Sequence, residues 1–413
     1  MEQPIIVLLL SYIVNTHRQV GLPTKFSYDV IMAKKADGST KQIFAIDGNE
    51  ANVEQRVGSN AYAYYILSQL EEITRNSDQI EWQVLLSSSA VKDLPKSRPG
   101  WNYKVVKPAA FWTQWALPFH LFAQRKNYKA LLSLGHYGPR YSPIPYISAV
   151  MDLAFLEFPR QFRKKDYLQL KEWTQYSVKN AAKVIAISEF TRSQVIKKKK
   201  KKPSDIILAY PALTTPPERL SAAKTETILR KLNISMPYFL YLGTLQPRKN
   251  VDQLVEAFTD AKMEDVQLII AGKVGWLAQP LLEKIKKSPA QKSIILTGYV
   301  DDEQKRALYQ GAMASFSLGS HEGFGIPALE SMAVGTIPVI AKTGSLPEVV
   351  GKAGISIEEG DKAELIKTLE HLAKLKAKQR ASMLKQGRDQ VKNFSWKKSA
   401  ETILEALESV STS

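Results

Sequence analysis

Residues 314–350, ASFSLGSHEGFGIPALESMAVGTIPVIAKTGSLPEVV, restrict the fold more than any other stretch of the chain. Residues 314–318 are a short apolar run, the pattern of a strand buried on both faces of a parallel sheet. Residues 319–325 read as a glycine-rich loop. Pro327 suits the first helical turn, and Gly335 suits the left-handed position past a helix end. Residues 336–341 then form the next buried strand. In such a unit the carboxyl end of the strand and the N-terminus of the helix border a ligand crevice. Gly323 and Gly325 lack a Cβ, so a diphosphate can approach the backbone N–H groups closely. Glu322 and Glu330 flank that cradle. A carboxylate beside a phosphate site suits sugar hydroxyls, since it accepts from two at once. The plainer alternative is an ordinary strand–helix turn with a capping glutamate.

The run Glu322-Gly323-Phe324-Gly325-Ile326-Pro327-Ala328-Leu329-Glu330 resembles the signature of glycosyltransferase family 4: a glutamate, seven residues, a second glutamate. These are retaining, group 1 nucleotide-sugar transferases, and the chain looks mannosyltransferase-like. The resemblance spans roughly residues 43–410. It implies an α/β chain of two Rossmann-like domains facing across a cleft, the GT-B fold. It also implies a nucleotide diphosphate sugar as co-substrate, with no further cofactor and no essential metal. GDP-mannose and UDP-glucose both fit as donors. On the matching positions, Glu322 is expected on the transferred sugar and Glu330 on the ribose, with Gly323, Phe324, Gly325 and Ile326 between them at the donor.

Residues 238–243 read as the strand that opens the second domain. The loop after Gly243, TLQPRKN, carries Arg248 and Lys249, which match the family's basic pair on the donor diphosphate. Breaking a sugar–phosphate bond leaves negative charge on the departing oxygens, and fixed cations stabilise that charge most in the transition state. The alternative is an exposed basic loop. The triplet Gly298-Tyr299-Val300 corresponds to the family's base site, where Val300 contributes through its backbone.

In the first domain, Gly58-Ser59 lies at an expected helix N-terminus, either as a phosphate contact or as a cap. The family often has His-Asp after its fifth strand; here the residues are Met151-Asp152. Loss of that histidine leaves Asp152 and the backbone, or His136 in the neighbouring loop, to contact the reacting sugar. Asn393-Phe394-Ser395-Trp396 resembles the family's closing segment, whose helix crosses back onto the first domain.

The expected organisation is an extension over 1–42, a first Rossmann-like domain over 43–212 on the acceptor side, a proline-marked linker over 213–235, a nucleotide-sugar domain over 236–395 and the crossing helix over 396–413. Residues 4–14 are apolar but short. They read as a membrane anchor or as an extra edge element, and no apolar run approaches the roughly 20 residues that span a bilayer. With 413 residues and 44% hydrophobic content, two sizeable cores can form. The chain has no cysteine, which excludes disulfides and thiolate metal sites and is compatible with a reducing cytoplasm. Expected localisation is cytoplasmic, at the inner face of the plasma membrane if the acceptor is lipid-linked.

Net charge is +17, which calls for an anionic partner: nucleotide diphosphate, acidic lipid or nucleic acid. Two stretches concentrate the question. Phe111, Trp112, Trp115, Phe119 and Phe122 are dense aromatics followed by Arg125, Lys126 and Lys129; they read first as core, and otherwise as an interfacial segment resting on lipid headgroups. Residues 197–202 are six lysines, read first as a solvated loop and otherwise as an acidic-lipid or RNA contact. The leading expectation is hexosyl transfer to a glycan or lipid-linked acceptor, with no nucleic acid partner. The competing readings are a sugar-nucleotide epimerase or phosphorylase on the same fold, and a basic nucleic-acid-binding protein.

Overall fold

The computed structural model describes residues 41–213, 219–235 and 237–411. The apolar stretch 4–14, the rest of the expected extension up to residue 40 and the proline-rich residues 214–218 lie outside the described residues.

Strands β1 (Gln42–Asp47), β2 (Ile80–Leu86), β3 (Trp101–Val105), β4 (Tyr128–Ser133), β5 (Tyr146–Val150), β6 (Lys183–Ala186) and β7 (Ile206–Leu208) form the first sheet. Its order is β3-β2-β1-β4-β5-β6-β7 and every pairing is parallel. Strands β8 (Tyr238–Leu242), β9 (Gln267–Ala271), β10 (Ile294–Gly298), β11 (Ala314–Ser317), β12 (Ile337–Ala341) and β13 (Ile355–Ile357) form the second sheet, also parallel, in the order β10-β9-β8-β11-β12-β13. Each sheet reverses direction once, between β1 and β4 and between β8 and β11. These two switch points are where open α/β sheets form crevices.

Apolar residues run along both faces of the strands, so both faces need covering. Phe44 and Ile46 enter one core while Ala45 enters another. Phe239 and Tyr241 likewise face away from Tyr238 and Leu240. Helix Trp396–Ser411 buries Ser399, Ala400, Ile403, Ala406, Leu407 and Val410, a helical stripe. It packs on helix Ser59–Ile73 of the first domain. Trp396 stacks on Tyr65 and donates through Nε1 to the Leu213 carbonyl at 2.9 Å.

Three expectations change. The linker does not run to residue 235: helix Ala222–Lys231 lies within it, capped by Ser221 and packed on helix Asp302–Gly311 of the second domain. The aromatic segment is not core, Trp112 apart. Leu117 and Leu121, one helical turn apart, take the buried side. Phe111, Trp115, Phe119 and Phe122 stay 70, 47, 50 and 59% exposed, the last three forming the opposite stripe. The lysine run is not simply a solvated loop. Helix Glu189–Lys199 continues into it, Lys198 pairs with Glu157, Lys199 is buried over the Phe155 ring, and Lys201 donates to the Ala181 carbonyl.

Candidate active site

The second domain's switch point is built from the loops that follow β8 and β11. After Gly243 the first loop tightens into a 3₁₀ turn, Pro247–Lys249, and ends on Asn250 in the left-handed region at φ 53°. Asparagine tolerates that conformation because its side chain can satisfy nearby backbone groups. Here Asn250 Nδ2 donates to the Leu318 carbonyl at 2.8 Å and to Ser320 Oγ at 3.0 Å, while the Ser320 N–H donates to the Arg248 carbonyl at 2.9 Å. The two loops are thereby stitched together, and their side chains share one position.

Lys249 Nζ pairs with a Glu322 carboxylate oxygen, and both side chains are less than one-fifth exposed. Arg248 donates to the His321 carbonyl at 3.1 Å. A third loop, after β12, supports the arrangement from behind. Ser345 is fully buried and donates through both its N–H and its hydroxyl to the Glu322 carbonyl, at 3.1 and 2.9 Å. A Cβ on Gly344, at φ 57°, would lie 2.7 Å from the Glu322 backbone, so glycine is required there.

The glycines beside Glu322 have packing reasons of their own. A Cβ on Gly323 would come within 2.6 Å of the Met151 carbonyl of the first domain, and one on Gly325 within 2.6 Å of Leu346. Phe324 is buried at the seam between the domains, where its ring meets Tyr210 and Phe394 at 6.0 and 5.4 Å. Gly325 then caps helix Ile326–Val334, and Ile326 packs against the adjoining core. Glu330, on that helix, accepts from Lys305 Nζ at 2.7 Å, with the Tyr309 hydroxyl 3.5 Å from its other oxygen. Burial, the largest single influence, would lower the Lys305 pKa, but the charges and hydrogen bonds of Glu330 and Asp302 together raise it. Val300 lies past β10, two strands from the switch point, and its side chain packs on the second domain's core.

The first domain presents a different chemistry. At its switch point Asp47, the last residue of β1, is buried and accepts from Trp112 Nε1 at 2.9 Å and Asn49 Nδ2 at 3.0 Å. Burial is the main cause that pushes its carboxyl up to about 6, against the lowering effect of these bonds. Gly58, at φ 56°, caps helix Ser59–Ile73, and Ser59 Oγ donates to Glu50 at 2.5 Å. His136 stands in the loop after β4 with its ring 6.2 Å from that of Tyr137. Asp152 accepts from the Ala154 N–H at 2.9 Å, starting the short helix Ala154–Glu157. Its Cβ is 3.0 Å from the position a Cβ on Gly323 would take, which places it at the seam beside the Glu322 loop. Among the described residues, no hydrogen bond or ring contact joins His136 or the Gly58-Ser59 turn to that loop.

His321 belongs to this seam and went unread in the sequence, as did Asp47 at the first domain's switch point. Glu348 of helix Leu346–Val350 accepts from the Glu189 and Phe190 N–H groups at 2.9 and 3.1 Å, at the start of helix Glu189–Lys199 in the other domain. Burial raises its pKa despite those bonds. At the second domain's switch point two cations and a carboxylate thus stand together, with Asp152 of the first domain beside their loop. Such a site can hold a dianionic leaving group on one side and a hydroxyl-bearing partner on the other.

Residues 224–390 match the family Glycosyl transferases group 1. The chain is 29% identical over 259 residues to O-antigen chain mannosyltransferase B of Escherichia coli, covering 60% of this chain and 66% of that protein. It is 32% identical over 115 residues to a GDP-mannose-dependent alpha-(1-6)-phosphatidylinositol dimannoside mannosyltransferase of Mycobacterium tuberculosis, covering 27% of this chain and 29% of that one. The chain thus spans less than two thirds of the curated relatives it matches. Among solved structures, Anabaena Alr3699/HepE in complex with UDP and glucose superposes with a TM-score of 0.67 at 16% identity, covering 90% of this chain and all of the other. The fold is the GT-B fold of two parallel-sheet α/β domains.

Proposed function

We propose that this protein is a retaining, metal-independent hexosyltransferase of glycosyltransferase family 4. It moves mannose from GDP-mannose, ahead of glucose from UDP-glucose, to a glycan or lipid-linked acceptor. The observation that carries this reading is the grouping of Arg248, Lys249 and Glu322 at the second domain's switch point. The mannosyltransferase relatives favour mannose, and one of them is named for GDP-mannose.

In this reading the donor diphosphate displaces Glu322 from Lys249 and takes its place against both cations. The freed carboxylate turns to the transferred sugar. Glu330, held by Lys305, faces the ribose. As the bond to the anomeric carbon breaks, charge grows on the departing phosphate oxygen and the fixed cations meet it without reorganising. That oxygen takes the acceptor proton on the same face of the sugar, which retains the configuration. Asp152 and Gly323, in contact across the seam, close off water. Positive potential at the crevice comes from side chains, so no metal is required.

On the acceptor side, Phe111, Trp115, Phe119 and Phe122, with Arg125, Lys126 and Lys129 close behind, rest on an anionic membrane at its cytoplasmic face. Beside them opens a cavity of about 500 Å³ lined by Val106, Lys107, Trp115 and Phe119. Among the described residues no helix is long and apolar enough to cross a membrane.

The test is a donor screen that reads nucleoside diphosphate release in EDTA, followed by mass spectrometry of the product and NMR of its anomeric configuration. Release with GDP-mannose and an axial product linkage is expected. Release only after Mg²⁺ or Mn²⁺ is added, or an inverted linkage, would overturn the mechanism.

A further inference from the structure

His321 directly precedes Glu322 in the second domain, yet its side chain belongs to the surroundings of the first. The ring is 1% exposed, and Nδ1 stands 2.7 Å from Glu157 Oε2, the acceptor that fixes the proton on Nδ1. Phe158 and Phe190 meet the ring edge-on, at 6.1 and 5.1 Å between centroids. Glu157 is itself held by Gln194 Nε2 at 2.9 Å and Lys198 Nζ at 2.5 Å. Burial would raise the Glu157 pKa; Lys198 and His321 outweigh it and keep the carboxyl below its usual range. Nε2 is buried without a hydrogen-bond partner among the described residues.

The backbone of the same residue faces the chemistry. Its carbonyl accepts from Arg248, and its peptide bond leads to Glu322, which pairs with Lys249. One residue therefore has its ring anchored in one domain and its main chain attached to both charged elements of the other.

As mere packing this is a poor choice. An unpartnered buried nitrogen costs the hydration it has lost, and an apolar side chain of similar size would fill the space between two phenylalanines without that cost. A hydrogen bond to a carboxylate differs from apolar contact in being directional. It is made at one seating of the domains, whereas a leucine would tolerate sliding. Buried polar pairs serve this registering role in other folds at some expense of stability.

Resting on the transferase reading above, we infer that His321 is a positioning residue for the transfer reaction. It couples the seating of the two domains to the placement of Glu322 and Arg248, through its hydrogen bond to Glu157. Donor binding uses the second domain alone and is independent of the latch. The transition state needs both domains and depends on it.

The experiment compares wild type with His321→Leu, His321→Asn, Glu157→Ala and the Leu/Ala double variant. For each, kcat with GDP-mannose, the Kd for GDP and the melting temperature are measured. Asparagine can place an N–H near the position of Nδ1 and removes the unpartnered nitrogen. His321→Leu is expected to keep its melting temperature and its GDP affinity and to lose about 10–100-fold in kcat, the scale of a misplaced catalytic group. His321→Asn should recover most of that loss. Glu157→Ala should repeat the leucine phenotype, and the double variant should be no worse than either single one. Unchanged kcat in His321→Leu, multiplicative losses in the double variant, or a parallel loss of GDP affinity would each overturn the inference. If His321→Leu does not fold, the Glu157→Ala and His321→Asn pair decides by the same kcat-against-Kd split. Absence of transfer by wild type would defeat the transferase reading itself, whereas transfer by wild type with an intact kcat in the variants defeats only the latch.

Discussion

The two switch points share one topology and differ in almost everything their loops carry. At β8/β11, three loops are tied by Asn250, Ser320 and Ser345 into a fixed frame around two cations and a carboxylate. At β1/β4, carboxylates turn inward, Asp47 beneath Trp112 and Glu50 on Ser59 and Asn60, while the loop's cation Arg56 is engaged by Asp93. The first arrangement suits a small, highly charged ligand that must be met in one geometry. The second offers little to an anion and sits beside an exposed aromatic ledge. Topology thus provides two crevices, and the loop residues decide which one holds the diphosphate.

The largest expected effect lies on the cationic side. Lys249→Ala and Arg248→Ala should each lower kcat by about 10²–10³, the loss of one transition-state donor in a dry site. Glu322→Gln should lower kcat while leaving GDP affinity nearly intact, whereas Glu330→Gln should mainly raise the donor KM. If steady-state and product-inhibition kinetics show the opposite split, the roles of the two glutamates are exchanged.

The next effect lies on the acidic side and is read in stability. Asp47 is pushed up to about 6 in the folded protein, against 3.8 for the free side chain. The folded state therefore holds this proton more tightly than the unfolded chain does. Its contribution to stability is present below pH 4 and is lost as pH rises to about 6, with little change above. The span is on the order of 3 kcal/mol. In urea unfolding between pH 4 and 7, Asp47→Asn should remove that part of the slope. A variant with the wild-type pH profile would show that Asp47 is not the titrating group.

Glu348 joins the two halves, and its loss should be smaller. Glu348→Ala removes two charge-assisted bonds to the start of helix Glu189–Lys199 and should cost about 1–3 kcal/mol in urea unfolding. No change in the unfolding midpoint would reduce this contact to a passive one. Smallest is the membrane effect. Flotation with anionic vesicles at low salt should weaken as salt rises, and Trp115→Ala with Phe119→Ala should reduce it. Salt-independent flotation would remove the charge contribution.

The sequence was legible where the physics is local. The strand–loop–helix unit from β11 to β12 follows from apolar runs and glycine and proline placement. What could not be read depends on distant partners. His321 meets Glu157 across 164 residues, and a lone histidine in a loop carries no signal of that. The aromatic ledge was misread because its residues are apolar on every side; only packing shows that Leu117 and Leu121 face inward while Trp115 and Phe119 face out. Burial of Asp47 likewise depends on distant partners, because the pairing of β1 with β2 and β4 extends through it.

The contrast between the two crevices comes down to one titration. Isothermal calorimetry with GDP should be run on wild type, the Arg248→Ala/Lys249→Ala double variant and Ser59→Ala, without added metal. The expected result is binding by wild type, the same affinity in Ser59→Ala, and a loss of at least about tenfold in the double variant, or 1.4 kcal/mol. Equal affinity in the double variant, with a loss in Ser59→Ala, would place the diphosphate in the first domain and contradict the assignment of the two switch points.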